Sequence, residues 1–214
     1  MTHLLRILFH TLIVRPLLLV VLGLNVRHRE RLPLKGPAIL AANHNSHLDT
    51  VALLSLIPLG RLAKVRPVAA ADYFLSNRFL KWFSTRLMGI IPLQRTAAGE
   101  SLDDRLEGAY KALERGEMLV LFPEGSRGEA EELSRFKSGV AHIAMRFPEV
   151  PVHPIFMHGL GKVLPKGEGL LVPFFCDVFV GEAMPRAEER TAYMRCFEER
   201  MQALADEGDF PAWD

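Results

Sequence analysis

Pro37-Ala38-Ile39-Leu40-Ala41-Ala42-Asn43-His44-Asn45-Ser46-His47-Leu48-Asp49 is the stretch that decides the fold. Its first six residues form an apolar run without alternation, the pattern of a strand buried on both faces of a parallel sheet. From Thr50 to Ile57 the apolar pattern becomes helical. The polar residues 43–49 therefore occupy a strand-to-helix loop, the usual place for ligands in an open α/β sheet.

The loop supports a bland reading and a chemical one. Ser46-His47-Leu48-Asp49 ahead of an apolar run matches a capping box, with Ser46 as N-cap and Asp49 at the third helical position. That explains Asp49 but leaves His44 unexplained. Side chains five residues apart on a continuous helix point about 140° apart, so His44 and Asp49 meet only if the loop folds back at the helix start. In that geometry Asp49 orients His44 and favours its protonated form, and His44 takes a proton from a hydroxyl. His44, His47 and Asp49 also offer three metal ligands within six residues. No His-Glu-x-x-His run or cysteine cluster accompanies them, so no metal is expected.

The rest of the chain frames this loop. At 214 residues and 49% hydrophobic, it buries one sizeable core, and no Pro/Ser/Gly-rich linker divides it. A formal net charge of +1 with scattered basic residues gives no nucleic-acid footprint. Cys176 and Cys196 have no neighbouring cysteine, which suits a reduced setting.

Residues 1–24 read as a membrane-associating helical segment ahead of a domain covering 25–214. Residues 4–24 are almost entirely apolar, interrupted by Arg6, His10 and Arg15. The longest uninterrupted piece, between Pro16 and Asn25, falls short of the roughly 20 residues a spanning helix needs. His3, Arg6 and His10 share one helical face, and Pro16 is expected to kink or separate two short helices dipping into one leaflet. A helix buried in the domain's own core is the rival reading, and a signal peptide is disfavoured because no small-residue cleavage site follows Leu24.

Further strands are expected at 66–70, 89–93, 118–122, 150–156 and 170–180, and helices at 73–88, 101–115, 138–147 and 187–205. A turn at Leu164-Pro165-Lys166-Gly167 precedes the last strand. This alternation predicts an α/β fold, a mostly parallel central sheet flanked by helices on both faces.

Three more loops sit where strands end or helices begin. Phe122-Pro123-Glu124-Gly125-Ser126-Arg127 offers Glu124 to hydroxyls, Gly125 for close backbone approach and Arg127 for an anion. Around Ser126 a nucleophile elbow is spoiled, because Glu124 takes its first glycine position. Gly89-Ile90-Ile91-Pro92-Leu93-Gln94-Arg95 leaves an arginine at a strand end, and Phe136-Lys137-Ser138-Gly139 sets a lysine ahead of a helix start. Taken singly each is an ordinary surface charge; together Arg95, Arg127 and Lys137 converge on one end of the sheet.

In this order the blocks resemble the glycerolipid acyltransferase superfamily, and within it the lysophosphatidic acid acyltransferases (1-acylglycerol-3-phosphate O-acyltransferases), over about residues 35 to 183. Asn43-His44 through Asp49 is similar to the family's His-x4-Asp motif, and Gly89 to Arg95 and Phe122 to Arg127 to its second and third blocks. Val150-Pro151-Val152-His153-Pro154 is similar to its last. The resemblance implies His44 as general base and Asp49 as its orienting partner. It implies Arg95 on the acceptor phosphate, Glu124, Gly125 and Ser126 on the acceptor, and Arg127 and Lys137 on anionic groups. The implied reaction is direct attack of a lysophospholipid hydroxyl on the thioester of acyl-CoA or acyl-carrier protein, without metal or redox cofactor. The implied location is the cytoplasmic side of the cell membrane. Pro92 departs from the commonest second block, which leaves other lyso-lipids, lyso-ornithine lipid among them, as alternative acceptors. A His/Asp-dependent lipid esterase is the alternative of a different class.

Overall fold

The computed structural model of the chain describes residues 2–71, 77–93, 101–128, 133–163 and 174–210. Strands β1 (Leu24–Arg27), β2 (Ala38–Ala42), β3 (Val65–Ala70), β4 (Ile91–Leu93), β5 (Met118–Leu121), β6 (Val152–His158) and β7 (Cys176–Val180) form one sheet in the order β1-β7-β6-β2-β5-β3-β4. From β6 to β4 neighbouring strands are parallel; β7 pairs antiparallel with β6, and β1 runs parallel to β7. The sheet is thus mostly parallel with a reversed edge.

Helices cover both faces, as the alternation predicts. Because side chains alternate along a strand, β2 sends Ala38, Leu40 and Ala42 into one apolar layer and Ile39 and Ala41 into the other. The first layer holds α1 (Thr2–Phe9) with its extension and α2 (Leu48–Leu56). The second holds α4 (Leu102–Glu114), α5 (Gly139–Arg146) and α7 (Arg190–Glu207); α3 (Arg78–Trp82) and the short α6 (Leu160–Val163) complete the set. The connection leaving β2 runs into α2 on the first face, and that leaving neighbouring β5 leads to α5 on the second. A crevice opens where adjacent strands part in this way. The predicted turn at 164–167 and the start of the strand expected from 170 lie outside the described residues.

The N-terminal segment differs from the expected pair of short helices. α1 continues through π-helical turns His10–Val14 and Leu17–Val21, with Pro16 inside the helix. The wider turns bond i to i−5, as Arg15 N–H to His10 O does, and relieve the clash that a proline ring makes with the preceding turn. Val14, Leu18 and Leu22 are buried in the first layer, and Leu24 already opens β1. Arg6 also faces inward, donating to Val65 O (3.2 Å) and Met88 O (2.8 Å), and His10 Nδ1 lies 2.8 Å from Arg6 O. The outward face is apolar: Leu12 is 68% exposed and Val20 81%.

Because β7 is antiparallel to β6, Cys176 lies beside the carboxyl end of β6, and Leu24 pairs with Cys176. The N-terminal helix therefore ends at the same end of the sheet, the carboxyl end of β6 and β2, as the 43–49 loop.

Candidate active site

Backbone geometry at the end of β2 creates the first part of the site. After Ala42 the chain leaves the sheet, and Asn43 is held by two bonds to the adjacent strand: its amide donates to Met157 O (2.9 Å) and accepts from Met157 N–H (2.7 Å). The loop then folds back on the start of α2. Asp49 Oδ2 accepts from the backbone N–H of Asn45 (2.7 Å) and Ser46 (2.8 Å), and Ser46 Oγ accepts from Leu48 N–H (3.3 Å). The helix opens one residue later than read from the sequence: His47, which makes no side-chain cap bond, is the N-cap in place of Ser46, and Asp49 stands at the second helical position.

That fold-back brings His44 to Asp49. His44 Nδ1 lies 2.9 Å from Asp49 Oδ2, which is fully buried. Burial raises the Asp49 carboxyl above the ordinary carboxylate range, while His44 and the two backbone N–H groups lower it. With Asp49 accepting from Nδ1–H, the Nε2 of His44 carries the lone pair. The ring stacks on Phe122, with centroids 4.1 Å apart and 22° between planes. This fixes its orientation as a second aromatic surface would.

The third block is tied to the first through backbone and side chain alike. Gly128 N–H donates to His44 O (3.0 Å), and His44 N–H donates to Glu124 Oε1 (3.3 Å). Glu124 is buried beneath the loop, and desolvation pushes its carboxyl up to about 7. Gly125 has φ +75°, and a Cβ there would stand 2.5 Å from Lys137 Nζ. Lys137 is further anchored by its N–H to Pro123 O (2.8 Å). Ser126 is exposed and Arg127 half-buried. Desolvation, Arg127 and His44, in that order, hold the His47 imidazole below its ordinary value, and Arg127 directly precedes Gly128, whose N–H bonds His44 O.

Of the residues singled out from the sequence, His44, Asp49, Glu124, Gly125, Arg127 and Lys137 thus gather at the carboxyl ends of β2 and β5. Arg95 lies outside the described residues; β4 leads toward it from Gly89. The last block is elsewhere: His153 is buried within β6, its Nδ1 3.3 Å from Gly181 O, and serves packing. Sequence reasoning missed Asn43 and Phe122 as site-builders. Their only signal is a polar and an aromatic residue placed directly after buried strands. Among the described residues no three His, Cys, Asp or Glu side chains gather to hold a metal ion.

An imidazole backed by a buried carboxylate, facing a glycine turn with a lysine and an arginine, is equipped to deprotonate a hydroxyl next to anionic groups. A family model described as Acyltransferase matches residues 23–158. The chloroplastic 1-acyl-sn-glycerol-3-phosphate acyltransferase LPAT1 of Arabidopsis thaliana is 33% identical over 150 residues, 69% of this chain and 40% of that protein. The 1-acyl-sn-glycerol-3-phosphate acyltransferase alpha of Homo sapiens is 28% identical over 165 residues, 75% of this chain and 54% of that protein. The chain thus spans about half the length, or less, of these relatives. The crystal structure of the 1-acyl-sn-glycerophosphate acyltransferase PlsC from Thermotoga maritima superposes with a TM-score of 0.74 at 20% identity, over 96% of this chain and 79% of that one. This likeness is one of fold.

Proposed function

The chain belongs to the acyltransferase family, and on that premise we propose that it moves a fatty acyl group from acyl-CoA or acyl-carrier protein to the free hydroxyl of a lysophospholipid, 1-acylglycerol-3-phosphate, giving phosphatidic acid. The observation that carries the reading is the His44–Asp49 pair at 2.9 Å, with the third block bonded to the His44 backbone. In the reaction His44 Nε2 takes the hydroxyl proton as the oxygen attacks the thioester carbonyl. The tetrahedral intermediate collapses, the C–S bond breaks, and the departing sulfur receives the proton from His44. Asp49 stabilises the imidazolium that exists between those two transfers.

Glu124, Gly125 and Ser126 line the acceptor's path in this reading. Arg127 and Lys137 neutralise phosphate, with Arg95 assigned to the acceptor phosphate through the family resemblance. The acceptor and product are lipids, and the outward face of the N-terminal helix supports peripheral or monotopic binding at the cytoplasmic membrane surface. The helix His3–Val20 is long and apolar enough to cross a membrane by length and composition. However, Arg6 and Arg15 bind backbone carbonyls of the domain, so the helix lies along the domain with its apolar face outward. Exposed Phe79 and Trp82 extend that face: Phe79 stacks on Phe83, and Phe83 meets Phe9 edge-on.

The test offers purified protein in detergent labelled acyl-CoA and acyl-carrier protein with a panel of lyso-lipids, lysophosphatidic and lyso-ornithine lipid included. Formation of diacyl product that His44→Ala abolishes supports the reading. Release of free fatty acid without acceptor would instead indicate an esterase.

A further inference from the structure

A cavity of about 260 Å³ lies between the N-terminal helix, β1 and the end of α2. Arg15, Leu19, Leu24, Asn25, Arg29 and Leu56 line it. Arg15 is held at its wall by donation to Ser55 O (3.4 Å) and Ile57 O (3.1 Å), and Arg29 stands exposed in the 3-10 turn Arg29–Arg31. Neither guanidinium has a carboxylate partner among the described residues. Asp177 approaches from β7 and accepts from the Asn25 amide (2.7 Å); two guanidinium groups against that one carboxylate leave the cavity net positive.

Its position relative to the reacting pair is fixed by α2. Asp49 sits in the first turn and Leu56 closes the helix, a separation of about 10 Å at 1.5 Å per residue. The cavity is therefore separate from the site above. It opens instead beside the outward apolar face, because Leu19 belongs to both and Val20 follows it.

We propose that this cavity binds the phosphate of an anionic phospholipid of the bilayer, between Arg15 and Arg29, with the acyl chains lying along Leu19 and Val20. The volume suits a phosphate and its glycerol and is below the roughly 300 Å³ at which pockets for drug-sized ligands begin. The chains must stay outside it. Forked guanidinium donors match phosphate oxygens. Such a contact fixes the rotation of the helix on the membrane and so the height of the catalytic edge above it.

The proposal rests on the membrane reading, and the experiment separates the two. Full-length protein is floated with vesicles of phosphatidylcholine alone and of phosphatidylcholine with phosphatidylglycerol, and titrated with dihexanoylphosphatidylglycerol below its micelle concentration and with inorganic phosphate. Arg29→Gln removes one wall without touching the bonds of Arg15, and Arg78→Gln removes an equal charge beside Phe79, outside the cavity. The expected result is saturable binding of the short-chain lipid, weakened about tenfold by R29Q and unchanged by R78Q, with the gain from phosphatidylglycerol lost in R29Q alone. Equal losses in both variants, or no gain from phosphatidylglycerol, would overturn the cavity proposal. Inorganic phosphate binding as well as the lipid would overturn its lipid identity. Failure of the protein to float with any vesicle would overturn the membrane reading itself.

Discussion

Asp49→Asn separates the cap from the chemistry, since Asp49 Oδ2 serves both. The amide oxygen of asparagine still accepts from the N–H groups of Asn45 and Ser46, so the loop keeps its fold and stability changes by about 1 kcal/mol or less. Because His44 Nδ1 meets that same oxygen, the amide also keeps the bond from Nδ1–H and leaves the tautomer unchanged, while its NH2 takes the buried place of Oδ1; what the substitution removes is the charge. The variant loses the carboxylate charge 2.9 Å from the imidazolium, an attraction of about 6 kcal/mol at an effective dielectric of about 20. Allowing for partial compensation, kcat falls about 10³- to 10⁴-fold, a barrier increase of about 4–5.5 kcal/mol. The assay follows acceptor-dependent thiol release from acyl-CoA, with KM for the acceptor staying within about threefold. Ser46→Ala is the companion: it removes only the Oγ bond to Leu48 N–H, costs about 1 kcal/mol of stability and leaves kcat nearly intact. Retention by D49N of more than a tenth of wild-type kcat would refute the pairing argument.

Gly125→Ala places a methyl against Lys137 Nζ at a backbone φ of +75°; we expect a loss of about 1–2 kcal/mol and a raised acceptor KM, measured by denaturation and steady-state kinetics. Glu124 carries a carboxyl raised in the folded state to about 7 from 4.5. Between those values the native protein holds more protons than the unfolded chain, so stability falls as pH rises from about 4.5 to 7 and levels off above, by on the order of 1–3 kcal/mol; urea midpoints against pH should show this slope shrinking in Glu124→Gln. Arg6→Ala leaves the buried carbonyls of Val65 and Met88 without that donor and is expected to cost about 2–4 kcal/mol, read as a lowered thermal midpoint. Leu12→Asp on the exposed face should leave that midpoint unchanged and weaken vesicle binding at least about tenfold.

The strands were legible because a sheet buried on both faces demands unbroken apolar runs, and 38–42 and 118–121 supply them. Leu24–Arg27 was not. At the edge of the sheet it carries the alternating half-buried, exposed pattern of LNVR, four residues attached to a long apolar helix, and nothing local distinguishes them from the helix end. The course through Pro16 was hidden for a related reason. A proline removes one N–H and crowds one turn, but a switch to i to i−5 bonding absorbs both effects, and that choice is made by packing of Val14, Leu18 and Leu22 on the sheet.

At the site, sequence carries the residue types and structure decides which of them meet. The spacing of His44 and Asp49 becomes a bond only because Asp49 closes the loop on two backbone N–H groups; the cap is thus the cause of the pair and not its competitor. Glu124 reaches the same loop only because β5 is the parallel neighbour of β2, with Ala41 opposite Leu121, a pairing no local pattern encodes. The N-terminal helix makes the strongest case for the role of tertiary structure. Read alone, Arg6 and His10 mark a polar face for water; docked, they face the domain, and the apolar side turns outward. A soluble protein would bury that side, so the inversion follows if the outward solvent is lipid rather than water.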